Sequence, residues 1–107
     1  SYHPMTAPII DMGHMQQAAQ EATQMLRVLA NENRLLLLCQ LSQGEKSVGE
    51  LETLLGIRQP TLSQQLGVLR NEGLVQTRRD GKQIIYRVVD ERAQRLLETL
   101  YGMYCSC

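Results

Sequence analysis

The segment Gln59-Pro60-Thr61-Leu62-Ser63-Gln64-Gln65-Leu66-Gly67-Val68-Leu69-Arg70-Asn71 decides the fold. Leu62, Leu66 and Leu69 recur at i, i+4 and i+7, the stripe of a helix with one buried side. Pro60 suits its first position, where a missing N–H costs no hydrogen bond. Pro60, Thr61, Gln64, Gly67 and Asn71 fall on the opposite side, with Ser63 and Gln65 flanking. The outer face therefore carries neutral hydrogen-bonding groups.

Upstream, Ser47 caps a short helix from Val48 to Leu55, with Glu50 placed as in a capping box and Gly56 closing it. Only a tight turn separates this helix from the next. Before it, Asn31 is a good N-cap for a helix running through Arg34, Leu35, Leu36, Leu37, Leu38, Cys39 and Leu41 to a stop near Gly44. Four consecutive leucines require burial on more than one side, so this is the central helix. Met15, Ala18, Ala19, Ala22, Met25, Leu26 and Leu29 mark a first helix. Residues 1–13, with Pro4, Pro8 and Gly13, read as a flexible arm.

Downstream, Glu72-Gly73 ends the Gln59–Asn71 helix and the apolar period changes to two. Val75, Thr77 and Arg79 alternate, Asp80-Gly81 is a two-residue hairpin turn, and Gln83 to Val88 returns. That turn would set Arg79 opposite Lys82, Thr77 opposite Ile84 and Val75 opposite Tyr86. Asp90 caps a last helix with the stripe Ala93, Leu96, Leu97, Leu100, Tyr101, Tyr104. The predicted order is α-α-α-α-β-β-α, mostly α with a β-hairpin wing. This is a winged helix-turn-helix over residues 14–105, with 106–107 as a tail.

The 107 residues suit one domain, and 11 Lys and Arg balance 11 Asp and Glu. Bulk charge alone would not select a nucleic-acid binder. The charge is uneven, however: residues 58–95 hold eight basic and four acidic groups, a net +4, while residues 1–57 hold three basic and six acidic ones. The absence of an 18-residue apolar run argues against a membrane span, and a cytoplasmic location is expected. No cofactor motif appears.

These features predict double-stranded DNA as the partner. Gln59, Thr61, Ser63, Gln64 and Gln65 offer donors and acceptors to base edges, glutamine being a bidentate partner for adenine. Arg78, Arg79 and Lys82 on the wing would reach phosphates or the adjacent minor groove, with Arg58 and Arg70 contacting backbone beside the helix. Solvated polar faces and charged hairpin tips are common; their order and joint basicity favour DNA over a winged helix used for protein contact.

Ala30-Asn-Glu-Asn-Arg34-Leu, Ser47-Val-Gly-Glu-Leu51, Gln59 to Arg70, Gly73-Leu-Val75 and Arg78-Arg-Asp-Gly-Lys82 with Ile85-Tyr86-Arg87 resemble the ArsR/SmtB family of winged-helix repressors. The resemblance spans roughly residues 15 to 105. It implies a homodimer formed by the first and last helices, bound to an inverted-repeat operator and released by an inducer. Both terminal helices carry apolar stripes larger than one small core needs.

Metal sensing is that family's best-known mode, but the ligands are sparse. His3 and His14 stand apart, and the last helix has Asp90, Glu91 and Glu98 without a histidine pair. Three thiols, Cys39, Cys105 and Cys107, could hold a soft metal or arsenite, though their spacing does not demand it. No metal site is assigned. Cys39 and Cys105, 66 positions apart, lie on helices that could cross. Their placement resembles the sulfide- and persulfide-responsive branch, the BigR and SqrR repressors and the related HlyU regulators. The resemblance implies that persulfide or polysulfide bridges Cys39 and Cys105 and derepresses sulfide-detoxification genes. A lone cysteine in a leucine-rich helix is otherwise a small core hydrophobe. The alternatives are a metal- or metalloid-responsive repressor using Cys105 and Cys107 and a disulfide-based redox sensor. A thiol enzyme is disfavoured, since no base or cation accompanies a cysteine.

Overall fold

A computed structural model describes residues 11–105 of the chain. Most of the expected arm, the two-residue tail, His3 and Cys107 lie outside the described residues. The elements are α1 (Met12–Leu29), α2 (Glu32–Ser42), β1 (Lys46–Ser47), α3 (Val48–Leu55), α4 (Gln59–Asn71), β2 (Val75–Asp80), β3 (Gln83–Val88) and α5 (Glu91–Tyr104). The architecture is the predicted mostly helical winged helix-turn-helix. One strand, β1, was not foreseen.

The helices begin where side chains satisfy their orphan amides. Asn31 accepts from the Arg34 N–H at 3.0 Å and Asp90 from the Ala93 N–H at 3.0 Å. Ser47 accepts from the Glu50 N–H at 3.1 Å while Glu50 accepts from the Ser47 N–H at 2.8 Å, completing the capping box. Each such cap contributes about 1 kcal/mol. Asp11 accepts from the His14 N–H at 3.1 Å, so α1 starts at Met12, ahead of its apolar stripe and inside the segment read as an arm. Pro60 occupies the second position of α4, not the first, and its missing N–H is still among the orphans.

The core is built around α2, which packs against α1, α3, α4, α5 and β3. Leu37 and Leu38 are fully buried, together with Leu51 of α3 and Leu62, Leu66 and Leu69 of α4. Burying a leucine contributes about 1.5–3 kcal/mol, so the α4 stripe alone fastens the helix firmly. Leu36 turns outward at 40% exposure, so two of the four consecutive leucines serve the central core fully. At the end of α4 the Leu74 N–H donates to the Leu69 carbonyl and the Gly73 N–H to the Arg70 carbonyl, both at 3.0 Å. This Schellman closure needs the positive φ of Gly73, +77°, and turns the chain directly into β2.

The sheet is antiparallel in the order β1-β3-β2. Thr77 pairs with Tyr86, Val75 with Val88, Arg79 with Ile84 and Asp80 with Gln83. The expected register is therefore corrected by two residues: the turn is Gly81-Lys82. Gly81 takes the first central position at φ +64°, a conformation that costs glycine less than it would cost Asp80. The short β1 pairs with β3, Lys46 opposite Tyr86 and Ser47 opposite Ile85.

Helices α1 and α5 each leave three large apolar side chains uncovered. On α1, Met12, Met15 and Leu26 are exposed, and on α5 so are Tyr101, Met103 and Tyr104. An open groove between these helices is lined by Ala18, Ala22, Met25, Leu26 and Leu96. Arg92 and Glu21 form an ion pair at its rim, 3.3 Å apart. No helix among the described residues is long and apolar enough to cross a membrane.

Candidate nucleic-acid interface and thiol pair

Helices α3 and α4 and the β2–β3 hairpin place most of the predicted contact residues outward. Gln59, Ser63 and Gln64 are exposed on α4, while Thr61 and Gln65 are half-buried. Arg58 and Arg70 flank the helix and are exposed, as are Arg79 and Lys82 on the wing. Arg58 is the N-cap residue of α4 but supplies no side-chain cap. Among the described residues no side chain caps the first-turn amides of α4, and the helix dipole there favours an anion.

Two of the predicted contact residues already have partners within the chain. Arg78 forms a two-bond ion pair with Glu45, at 3.1 Å through Nε and 2.9 Å through Nη2. The hydrogen bonds from Arg78 hold the Glu45 carboxyl below its ordinary range. Gln65 accepts through Oε1 from Arg34 of α2 at 2.9 Å. On β3, Arg87 donates to Gln76 across the ladder at 3.2 Å. Arg92 and Arg95 belong to α5, so the +4 of residues 58–95 is shared between the wing region and the groove. Neither Glu45 nor Arg34 was singled out from sequence, since Glu45 meets Arg78 across 33 positions and Arg34 meets Gln65 across 31.

Cys39 is half-buried on α2 and Cys105 is the exposed C-cap residue of α5, its N–H donating to the Tyr101 carbonyl at 2.8 Å. Neither is in a disulfide. Burial pushes the Cys39 thiol above its ordinary pKa, and the neighbouring Cys105 pushes it further. Helix α5 packs against α2, so the two thiols belong to elements in contact. Among the described residues no three His, Cys, Asp or Glu side chains gather as a metal site.

A helix-turn-helix with an outward polar recognition helix and an adjoining basic wing defines a winged-helix DNA-binding regulator. Residues 31–77 match the model of the bacterial regulatory protein arsR family. The chain is 52% identical over 103 residues to the biofilm growth-associated repressor of Agrobacterium fabrum, covering 96% of this chain and 88% of that one. It belongs to the ArsR family, whose members are transcription regulators and not enzymes. The crystal structure of the repressor BigR from Xylella fastidiosa superposes with a TM-score of 0.82 at 49% identity, covering 89% of this chain and 94% of that one. Reduced HlyU from Vibrio cholerae superposes with a TM-score of 0.83 at 38% identity, covering 86% and 97%.

Proposed function

We propose that this chain is a transcriptional repressor that grips an inverted-repeat operator as a homodimer and lets go when persulfide or polysulfide modifies Cys39 and Cys105, derepressing sulfide-detoxification genes. The observation that carries the sensing part is the placement of two free thiols, one half-buried on α2 and one exposed at the end of α5, on helices that pack against each other. A bond between them would join the central helix to the last one. Similarity to repressors of 52% and 49% identity supports the repressor role. The uncovered apolar residues of α1 and α5 support a dimer built on those helices, and paired recognition helices would then stand about one DNA turn, ~34 Å, apart.

The chemistry balances with a low-molecular-weight persulfide, RSSH, as oxidant. Each cysteine thiolate takes the outer sulfur of one RSSH and releases RSH, giving two protein persulfides. The terminal sulfur of the Cys105 persulfide then attacks Sγ of Cys39 and expels HS⁻, leaving a trisulfide. A persulfide is more acidic than a thiol and supplies the attacking anion at neutral pH. A plain disulfide needs Cα atoms within about 7 Å, whereas an inserted sulfur relaxes that demand. In this reading reduced Cys39 and Cys105 sit too far apart for easy disulfide formation, and that geometry would favour persulfide over peroxide.

Mass spectrometry after glutathione persulfide, hydrogen peroxide and zinc in parallel tests the assignment, with gel-shift release from DNA as the functional readout. Wild type is expected to gain sulfur between Cys39 and Cys105 and to release DNA, while Cys39→Ser stays bound. Equal release of both proteins would remove Cys39 from the switch. Bound zinc with release would turn the assignment to a metal sensor, and a loss of two hydrogens with peroxide to a general redox sensor.

A further inference from the structure

We infer that Arg34 is a positioning residue for DNA reading: its guanidinium ties the C-terminal carbonyls of α1 to Gln65 of α4, so that α1 sets where the recognition helix stands. The last four carbonyls of a helix have no partner within it. In α1, Leu26 is served by the Ala30 N–H at 2.9 Å and Leu29 by the Asn31 N–H at 2.8 Å. The other two fall to Arg34, whose Nε donates to the Val28 carbonyl at 2.6 Å and Nη2 to the Arg27 carbonyl at 3.1 Å. Its remaining terminal nitrogen, Nη1, donates to Gln65 Oε1 at 2.9 Å.

One planar cation thus closes one helix and holds another. The positive group also sits at the negative end of the α1 dipole, where a cation is favoured. A lysine has no planar fork and cannot serve three acceptors in fixed directions. A second tie runs parallel to the first: Gln24 of α1 donates to Glu72, the C-cap residue of α4, at 2.9 Å. The bond to Arg34 and its half-buried position hold the Gln65 amide toward α2, whereas a bidentate pair with adenine needs that end turned into the groove. Gln65 therefore serves to place α4 and leaves base contacts to the exposed Gln59, Ser63 and Gln64. If α1 forms the dimer interface, Arg34 links that interface to the reading helix within each protomer.

This inference rests on the DNA-binding function proposed above, and its test separates the two. A duplex is first selected by wild type from a random library, and its affinity is compared with that of poly(dI-dC) for wild type, Arg34→Met, Arg34→Lys, Gln65→Met and the double Met variant. Arg34→Met and Gln65→Met are expected to lose about tenfold in affinity for the selected duplex. The double variant should lose no more than either, and Arg34→Lys should fail to rescue. Affinity for poly(dI-dC) should stay within twofold and the salt slope should be unchanged, since no phosphate contact is removed. Should Arg34→Met not fold, Gln65→Met, which leaves the bonds to α1 intact, carries the comparison. In the free protein, hydrogen exchange of the α4 amides should quicken in Gln65→Met.

Additive losses would overturn the clamp. So would a salt slope reduced by Arg34→Met, or a preference lost at a single base pair only in Gln65→Met. Failure of wild type to select any duplex would instead overturn the DNA-binding reading, while the exchange measurement would still judge the clamp.

Discussion

Arg78 of the wing and Glu45 of the loop before β1 form a two-bond ion pair, although 33 positions separate them. The arginine expected to meet phosphate is already matched by a carboxylate. A phosphate must compete with Glu45 for it, so part of the wing's charge is held in check. Exposed pairs of this kind add little to folding. Their influence falls on binding.

Glu45→Gln should free Arg78 for DNA. The expected result is a several-fold gain in affinity for non-specific duplex and a salt slope steeper by about 0.9. Because Arg78 keeps the Glu45 carboxyl below its ordinary range, the bridge persists as pH falls through that range and opens only near the lowered value. Wild-type affinity should thus show no Glu45-linked change between pH 8 and 6. An unchanged salt slope in the variant would mean that Arg78 does not reach the duplex.

Alkylation should distinguish the two described thiols. Cys105 is exposed and Cys39 half-buried, with its pKa raised by burial and by Cys105. At pH 7 iodoacetamide is expected to label Cys105 first. Cys39 labelling should keep rising with pH beyond the ordinary thiol range, and Cys105→Ser should speed it. The sign for stability is the reverse of that for reactivity: the folded chain holds the Cys39 proton longer than the unfolded chain, so this contribution is lost as pH rises above the ordinary thiol pKa. Equal labelling rates at all pH values would contradict the raised pKa.

Leu26→Glu tests the apolar face of α1. Leu26 is 57% exposed, so the monomer should keep its fold, with a stability change within about 0.5 kcal/mol. Analytical ultracentrifugation should show a shift from dimer to monomer, and affinity for an inverted repeat should fall at least tenfold. A variant that remains dimeric would place the interface elsewhere.

Leu37→Ala and Leu36→Ala separate the two sides of α2. The first empties a fully buried site and should cost about 2–5 kcal/mol, enough to lower Tm by ten degrees or more in a domain of this size. The second trims a side chain already 40% exposed and should cost well under half as much. Comparable losses on thermal denaturation would contradict the burial of Leu37.

What could be read from sequence was local. The caps at Asn31, Ser47 and Asp90, the box completed by Glu50 and the stop at Gly73 each depend on residues within a turn or two, and each is in place. The wing register was displaced because Asp80-Gly81 and Gly81-Lys82 are both plausible turns, and only the backbone shows which residue takes positive φ. β1 was invisible because two residues carry no period. Arg34–Gln65 and Arg78–Glu45 lacked any local signature, since their partners meet only once the helices have packed. For the thiols, spacing gave no more than two positions on helices that could cross.

The pairing of β1 with β3 has a consequence for anyone who would re-engineer this chain. Ser47 is at once the last residue of β1, opposite Ile85, and the cap of α3, so the hairpin is stitched to the start of the helix-turn-helix. Hairpin and helices therefore form a single jaw, not a hand with a loose thumb. A chimera built to borrow another regulator's target must transplant residues 46–88 as one cassette. Grafting the 13 residues of α4 alone would leave the new teeth set in the old bite.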